Sequence, residues 1–281
     1  MLAPAAHASI LPRALTLTLE DGGVSADLPP GLSNAPRAGA AEAGAPFGGL
    51  MAALSLLSAR ELLAIRSPLR TITVQFMAGA RFAPCRFTAE LLRGGGSTAF
   101  AAVRAGQGER TAISSLLTFG READQVELEP LHRHPPPLAE AAEDDKDHPF
   151  WPWFTNEVEH RFLDGPGLFG QFEKPLVRCW MRTRDGLPLD EARLAFLLDA
   201  VFPNYWTALP APPALSATVD LRYDLLVPIT EETAPDGFAY FEFQTAHVSG
   251  GWAVEDGVCW ARDGTPLAVA RQRRKLVALR R

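Results

Sequence analysis

Asp199 is the residue whose surroundings most strongly suggest chemistry. From Leu194 to Phe202 every residue except Asp199 is apolar. The run follows Pro188 and a candidate N-cap, Asp190, and it stops at Pro203, because the residue before a proline is pushed out of the α region. A helix that is hydrophobic all round belongs inside a fold. An ionised carboxylate there costs on the order of several kcal/mol unless hydrogen-bonded partners compensate it. Burial also raises a carboxyl pKa, which would make Asp199 a proton acceptor tuned for near-neutral pH. The plainer alternative is a helix-end aspartate that reaches solvent or a structural partner.

Other reactive groups are less suggestive. No G-x-S-x-G elbow occurs, so a serine-hydrolase arrangement is not expected. His132 and His134 form an HxH pair, but they lie in a proline-rich, acidic stretch with no third metal ligand in view. Cys85, Cys179 and Cys259 are widely spaced, odd in number and without a metal-binding pattern, which fits free thiols in a reducing, cytoplasmic setting. Cys179 and Cys259 fall in strand-like runs and read as core residues. The aromatic group Phe150-Trp151-Pro152-Trp153-Phe154 reads as packing between two parts of the chain.

The 281 residues suffice for two ordinary domains, and 47% hydrophobic with 21% charged residues describes a globular chain. A net charge of −6 argues against a nucleic-acid partner. No apolar run reaches the length of a membrane span, so no membrane association is expected. The Ala-rich N-terminus has no basic leader before its apolar stretch and does not read as a signal peptide.

These side chains must be positioned by elements that occur twice. Residues 129–149 read as a linker, with Pro135-Pro136-Pro137 and the acidic Glu143-Asp144-Asp145. Domains are therefore expected at 1–128 and 150–281. In the first, Pro46-Phe47-Gly48-Gly49 leads into an apolar helix to about Ile65. Strand-like runs follow near Thr71–Met77, Cys85–Arg93, Ser97–Ala105 and Thr111–Phe119. In the second, runs at His160–Phe172 and Leu176–Arg184 precede a helix near Asp190–Phe202. Runs near Ala217–Val227, Phe238–Val248, Trp252–Arg262 and Pro266–Val277 come after it, with Asp263-Gly264 as a hairpin turn. A long helix followed by an antiparallel meander, given twice, predicts a tandem α+β duplication.

That plan resembles the double-hotdog acyl-CoA thioesterases of the type II class. In the first half the likeness rests on Gly48-Gly49 at the helix start, Thr71–Phe76, and Leu91-Leu92-Arg93-Gly94-Gly95-Gly96-Ser97. In the second it rests on Leu197-Leu198-Asp199, Ala217-Thr218-Val219-Asp220 and Val269-Ala270-Arg271-Gln272. The resemblance implies a tandem double hotdog, two long helices each wrapped by an antiparallel sheet, forming a pseudo-dimer. It implies hydrolysis of an acyl-CoA to free acid and coenzyme A, with no cofactor beyond the coenzyme A of the substrate. Asp199, Thr218 and Gln272 match the positions that surround a catalytic water, Asp199 as general base and the other two as hydrogen-bonding groups. The run Leu221–Leu225 departs from the aromatic, His-rich strand of some members and leaves acyl specificity open. The insertion from Phe202 to Leu215, with Trp206, falls where it could shape the pocket mouth.

The halves are not equivalent. Aligned turn on turn, Leu116 falls opposite Gln272, and Ser55, Ser58 and Ala59 stand where Asp199 would fall. Gly48 and Gly49, at a helix N-terminus, could stabilise an oxyanion, or could simply allow close packing. The basic cluster Arg271, Arg273, Arg274, Lys275, Arg280 and Arg281 could meet coenzyme A phosphates or protect a sheet edge. Two other readings stand beside hydrolysis: a non-catalytic acyl-binding hotdog, and a hotdog enoyl-CoA hydratase, disfavoured because no His follows Asp199 in its helix. With a pseudo-dimer already in one chain, further homo-oligomerisation is optional. The pathway served is open too, with fatty acid metabolism one candidate.

Overall fold

The computed structural model describes residues 8–123, 128–144, 146–212 and 215–277. After a short helix α1 (Leu11–Ala14) and the hairpin β1 (Thr18–Glu20) and β2 (Gly23–Ala26) comes helix α2 (Gly48–Leu63). Strands β3 (Leu69–Phe76), β4 (Cys85–Gly94), β5 (Thr98–Gln107) and β6 (Arg110–Gly120) complete the first half. The second half contains β7 (Ala142–Glu143), β8 (Val158–Phe162), β9 (Leu176–Thr183) and helix α3 (Glu191–Leu197). It closes with β10 (Leu215–Leu225), β11 (Ala239–Ser249), β12 (Trp252–Trp260) and β13 (Pro266–Val277).

All the strands join one antiparallel sheet in the order β1-β2-β4-β5-β6-β3-β10-β13-β12-β11-β9-β8-β7. The halves meet at β3 and β10, where Val74 faces Leu221 and Ile72 faces Tyr223, so the sheet runs unbroken from one half to the other. The two helices pack against each other on its inner side. This is the tandem hotdog architecture expected from the duplicated plan.

Helix α2 is apolar nearly all round, and its residues from Gly49 to Leu56 are all buried. It ends at Ala64 in the left-handed region, φ 52°. There Arg60 donates to the carbonyls of Ile65 and Ser67 at 2.9 Å, fixing the chain that leaves the helix. The same guanidinium pairs with Glu191 in the first turn of α3, and Glu191 Oε1 accepts the Leu69 N–H at 2.8 Å. One charged pair thereby ties both helices to the strand that starts the central sheet.

Helix α3 departs from expectation. Asp190 caps it as predicted, accepting the Arg193 N–H at 2.7 Å. It covers only seven residues, however, and Asp199 lies in the turn beyond it rather than within a long helix. The cause is tertiary. His160 Nε2 bonds the Ala200 carbonyl at 2.8 Å, and the Phe196 carbonyl faces the glycine pair at the start of α2. A Cβ on Gly49 would stand 2.5 Å from that oxygen, so only glycine permits this approach.

Two further differences concern the linker and the first strand after it. Part of 129–149 is built into the fold: β7 pairs with β8, and the indoles of Trp180 and Trp260 donate to Pro136 and Leu131 carbonyls at 3.0 and 2.7 Å. The strand expected over His160–Phe172 stops at Phe162, because Gly165 and Gly167, with Phe169 and Gln171, take positive φ. The aromatic group does join the halves, with Phe154 stacked on Phe47 at 3.7 Å. Cys179 and Cys259 are core residues, as read.

Gly49→Ala should lower stability by about 1–3 kcal/mol through overpacking. A urea melt would show this as a lower midpoint with unchanged slope. An unchanged midpoint would mean that the helices are free to move apart.

Candidate active site

Strand periodicity puts Gln272 on the inner face of β13, with exposed Arg271 and Arg273 on the outer face. On neighbouring β10, Thr218 stands where the pairing with β13 shifts register between Thr218 and Asp220. The turn after α3 brings Asp199 down onto both. Gln272 Nε2 donates to Asp199 Oδ1 at 2.6 Å and to Thr218 Oγ1 at 2.9 Å. The structure thus brings together the three residues singled out from sequence, across sequence separations of 54 and 73 residues.

The cluster has a fourth member. Arg274 donates from Nη2 to Gln272 Oε1 at 2.6 Å and from Nη1 to Thr218 Oγ1 at 3.2 Å. Its Nη2 also lies 3.7 Å from Asp199 Oδ1. Its Nε donates to Glu255 on β12 at 2.6 Å, and the other oxygen of Glu255 accepts the Asn204 N–H. Arg274 is 8% exposed, so the surface role considered for it does not hold. Of the rest of that basic cluster, Arg271 pairs with Asp256, and Arg280 and Arg281 lie outside the described residues. Sequence reasoning missed Glu255 and the inward orientation of Arg274. The period of two from Gln272 was the signal available.

Asp199 is 7% exposed. Burial pushes its pKa from the ordinary 3.8 up to about 6, against the opposing influence of Arg274, the Gln272 amide and the Gly49 N–H. Burial likewise carries the Tyr223 hydroxyl well above its usual value, and the Asp199 charge adds to this. Arg274 is held firmly protonated: burial works against its charge, but Glu255 and Asp199 overcome that.

The glycine pair is also placed. The Gly49 N–H is directed to Asp199, and a Cβ on Gly48 would stand 2.6 Å from Asp199 Oδ2. Close packing requires glycine at both positions, and the Gly49 N–H helps to lower the Asp199 pKa. Gly48 lines the adjoining cavity, in the first turn of α2, where helix N–H groups have no partner within the helix.

That cavity has a volume of about 510 Å³ and lies between the halves. Asp199, Thr218 and Arg274 are at its polar end, and Phe47, Phe76, Phe150, Phe154, Phe202 and Trp206 are among its walls. Trp206 confirms that the insertion after Phe202 shapes the pocket. No histidine lines it among the described residues. His160 is buried elsewhere, stacked on Phe162 at 5.7 Å. His132 and His134 lie edge to face in the linker, and among the described residues no cluster of ligands could hold a metal. In the first half Ser115 Oγ donates to Ser55 Oγ at 3.0 Å, both side chains fully buried. Leu116, aligned with Gln272 from sequence, is on the outer face and 57% exposed.

Comparison with known proteins agrees with this architecture. The chain has several solved structural neighbours. One is a conserved hot dog fold protein from Alicyclobacillus acidocaldarius, with TM-score 0.84, 23% identity, and 98% and 100% of the two chains covered. Another is the acyl-CoA thioesterase II TesB2 from Mycobacterium marinum, with TM-score 0.73, 20% identity, and 96% and 98% covered. A more distant one is the dehydratase domain of PpsC from Mycobacterium tuberculosis, solved in complex with C12:1-CoA, at TM-score 0.56 and 13% identity, covering 94% and 99%. At these identities the likeness shows the fold. Among curated proteins no match was found. Family models are more informative: residues 37–120 match the acyl-CoA thioesterase N-terminal domain, and residues 133–273 the acyl-CoA thioesterase C-terminal domain. In that order the two matches span most of the chain, and the protein belongs to the acyl-CoA thioesterase family that these domains define.

Proposed function

We propose that the protein hydrolyses an acyl-CoA thioester to a free acid and coenzyme A, using a water activated by Asp199. The observation that carries this reading is the bonded set Asp199–Gln272–Thr218, of which Asp199 and Thr218 line a mostly apolar cavity. A thioester carbonyl is weakly resonance-stabilised and its leaving group is a thiolate, so a positioned water and a base suffice. Above its pKa, Asp199 takes a proton from the water as the oxygen attacks the carbonyl carbon. The tetrahedral adduct collapses with cleavage of the C–S bond, and the proton held by Asp199 passes to the departing sulfur.

Gln272 has both its N–H groups committed to Asp199 and Thr218. It therefore bridges base and hydroxyl, and the water is held chiefly by Asp199 and Thr218. Gly48, lining the cavity at the helix start, is the proposed donor to the developing oxyanion. The acyl chain fills the aromatic-walled cavity. Hydration of an enoyl-CoA ordinarily calls for a second acid–base group, and the absence of a histidine from the described cavity lining favours hydrolysis. A pure acyl-binding protein would have no use for a base tuned to about 6, which costs stability whenever it is ionised.

Thiol release from short, medium, long and aryl acyl-CoA esters tests the proposal. Wild type should turn over at least one class, and Asp199→Ala should lose roughly 10²–10⁴-fold in kcat. Binding without turnover on every ester would assign the protein to the non-catalytic reading. Turnover that survives the substitution would keep the reaction and remove Asp199 from it.

The active form is the carboxylate, so kcat/KM should fall as pH drops through about 6, the value to which burial lifts Asp199. A limb centred near 4 would show a solvated base instead.

Because the folded pKa exceeds the unfolded one, the neutral acid favours the fold at low pH, and that stability is lost as pH rises from about 4 to about 6. Asp199→Asn should therefore gain about 2–3 kcal/mol relative to wild type between pH 4 and 7.5. Paired urea melts at the two pH values would show it, and an equal gap at both would contradict a buried, raised carboxyl.

A further inference from the structure

We propose that Arg274, anchored by buried Glu255, is a positioning residue that sets which hydrogen-bonding atoms Gln272 and Thr218 offer to the reacting groups. The inference rests on the thioesterase reading of this site and assigns a task that the Asp–Thr–Gln set cannot perform alone.

A glutamine amide has nearly the same shape either way round, but its two ends have opposite chemistry. Arg274 Nη2, 2.6 Å from Gln272 Oε1, selects one orientation, because only the oxygen can accept from a guanidinium. The amide nitrogen is thereby turned to Asp199 and Thr218. In the flipped amide, the carbonyl oxygen would face the Asp199 carboxylate at hydrogen-bonding distance with no proton between them.

The effect on Thr218 is equally specific. A hydroxyl has two acceptor sites and one donor. Gln272 Nε2 and Arg274 Nη1 fill both acceptor sites of Thr218 Oγ1. What Thr218 has left is its O–H, so it meets the water or the acyl oxygen as a donor. Asp199, with no proton of its own above its pKa, meets the same water as an acceptor. Arg274 thus divides the two roles between neighbouring side chains.

The geometry of Arg274 is itself set. Glu255 faces Gln272 across the β12–β13 pairing and takes the Nε bond at 2.6 Å. Its second oxygen accepts the Asn204 N–H and lies 3.4 Å from Thr245 Oγ1. Burying an ion pair stabilises a fold no better than apolar residues of the same volume. The contacts that Arg274 makes with Thr218, Gln272 and Asp199 give this pair a use.

The groups around Asp199 determine how its titration responds. Arg274 and Gln272 reach it from β13, Glu255 from β12, Tyr223 from β10 and the Gly49 N–H from α2. His160, on β8, bonds the next residue's carbonyl, and burial holds it neutral. Of these, Arg274 supplies the positive charge, and its influence on Asp199 exceeds that of Glu255.

The test is the double substitution Arg274→Met with Glu255→Gln, which removes both members of the buried Arg274–Glu255 pair together, made beside Arg274→Lys. In a folded double variant, kcat should fall roughly 10²-fold, as for other misplaced reacting groups, with KM little changed. The acid limb of kcat/KM should move to higher pH. Arg274→Lys keeps the charge but cannot span three acceptors, so kcat should fall while the limb stays in place. A folded double variant with wild-type kcat and limb would overturn the proposal. So would wild-type kcat in Arg274→Lys, which decides the matter if the double variant does not fold. Carboxyl ¹³C NMR of Asp199 separates this inference from the function on which it rests. If wild type releases no thiol from any ester, the thioesterase reading fails. The midpoint in whichever of the two substituted proteins folds then decides: it should rise in the double variant and hold in Arg274→Lys, and the opposite response overturns the role of Arg274.

Discussion

A carboxylate withdrawn from water needs replacement solvation, and the way Asp199 obtains it dictates much of this fold. One contribution is the start of α2, where a backbone N–H meets the carboxylate and unpaired helix N–H groups concentrate. That approach requires Gly48 and Gly49, because a Cβ on either would collide with Asp199 or with the end of α3. A second contribution is the Gln272 amide and a third the Arg274 charge, both carried on the inner face of β13. The helix crossing, the sheet register and the early end of α3 all serve one meeting point.

The same constraint explains why the halves diverge. A tandem hotdog offers two related junctions between helix and sheet, and in this chain they are filled by opposite means. The first half has two buried serine hydroxyls in an uncharged chain, Ser115 donating to Ser55 and Ser55 to the Met51 carbonyl. The second has a network containing two carboxylates and one guanidinium. Charges of that kind are tolerable only where hydrogen bonds surround them. The first half contributes instead the glycine-led helix start and several apolar walls of the cavity. Each half is thus incomplete alone, and the continuous β3–β10 seam keeps their contributions in fixed relation.

Much of this was legible in the sequence for local reasons. The Asp263-Gly264 turn and the alternation after it placed β13 at Pro266–Val277, and the aspartate, threonine and glutamine of the family pattern meet as anticipated. The end of α3 was not legible. An all-apolar run has no periodicity to mark where it stops, and the groups that end it, His160 and the α2 glycines, are distant in sequence. Arg274 was misread for a related reason. Within a run of basic residues, charge suggests surface, whereas strand alternation alone separates exposed Arg273 from buried Arg274. Its partner Glu255 lies on another strand, so only the register of β12 on β13 reveals that the arginine has a buried counterion.

Burial of the acid is useful only within limits, and the network shows how those limits are set. Desolvation alone favours the protonated form of Asp199. Full compensation by cations would return it to an ordinary carboxylate, ionised but weakly basic. Arg274 is close enough to temper the first effect, and its stronger bond to Glu255 keeps it from producing the second. Glu255 therefore acts on Asp199 twice: it fixes the guanidinium in space and, as a second carboxylate, itself raises the Asp199 pKa. A lysine in the same place would offer a point charge without the planar fork that lets one group orient Gln272, Thr218 and Glu255 together. The raised pKa of Asp199 follows first from burial, tempered by Arg274, the Gln272 amide and the Gly49 N–H.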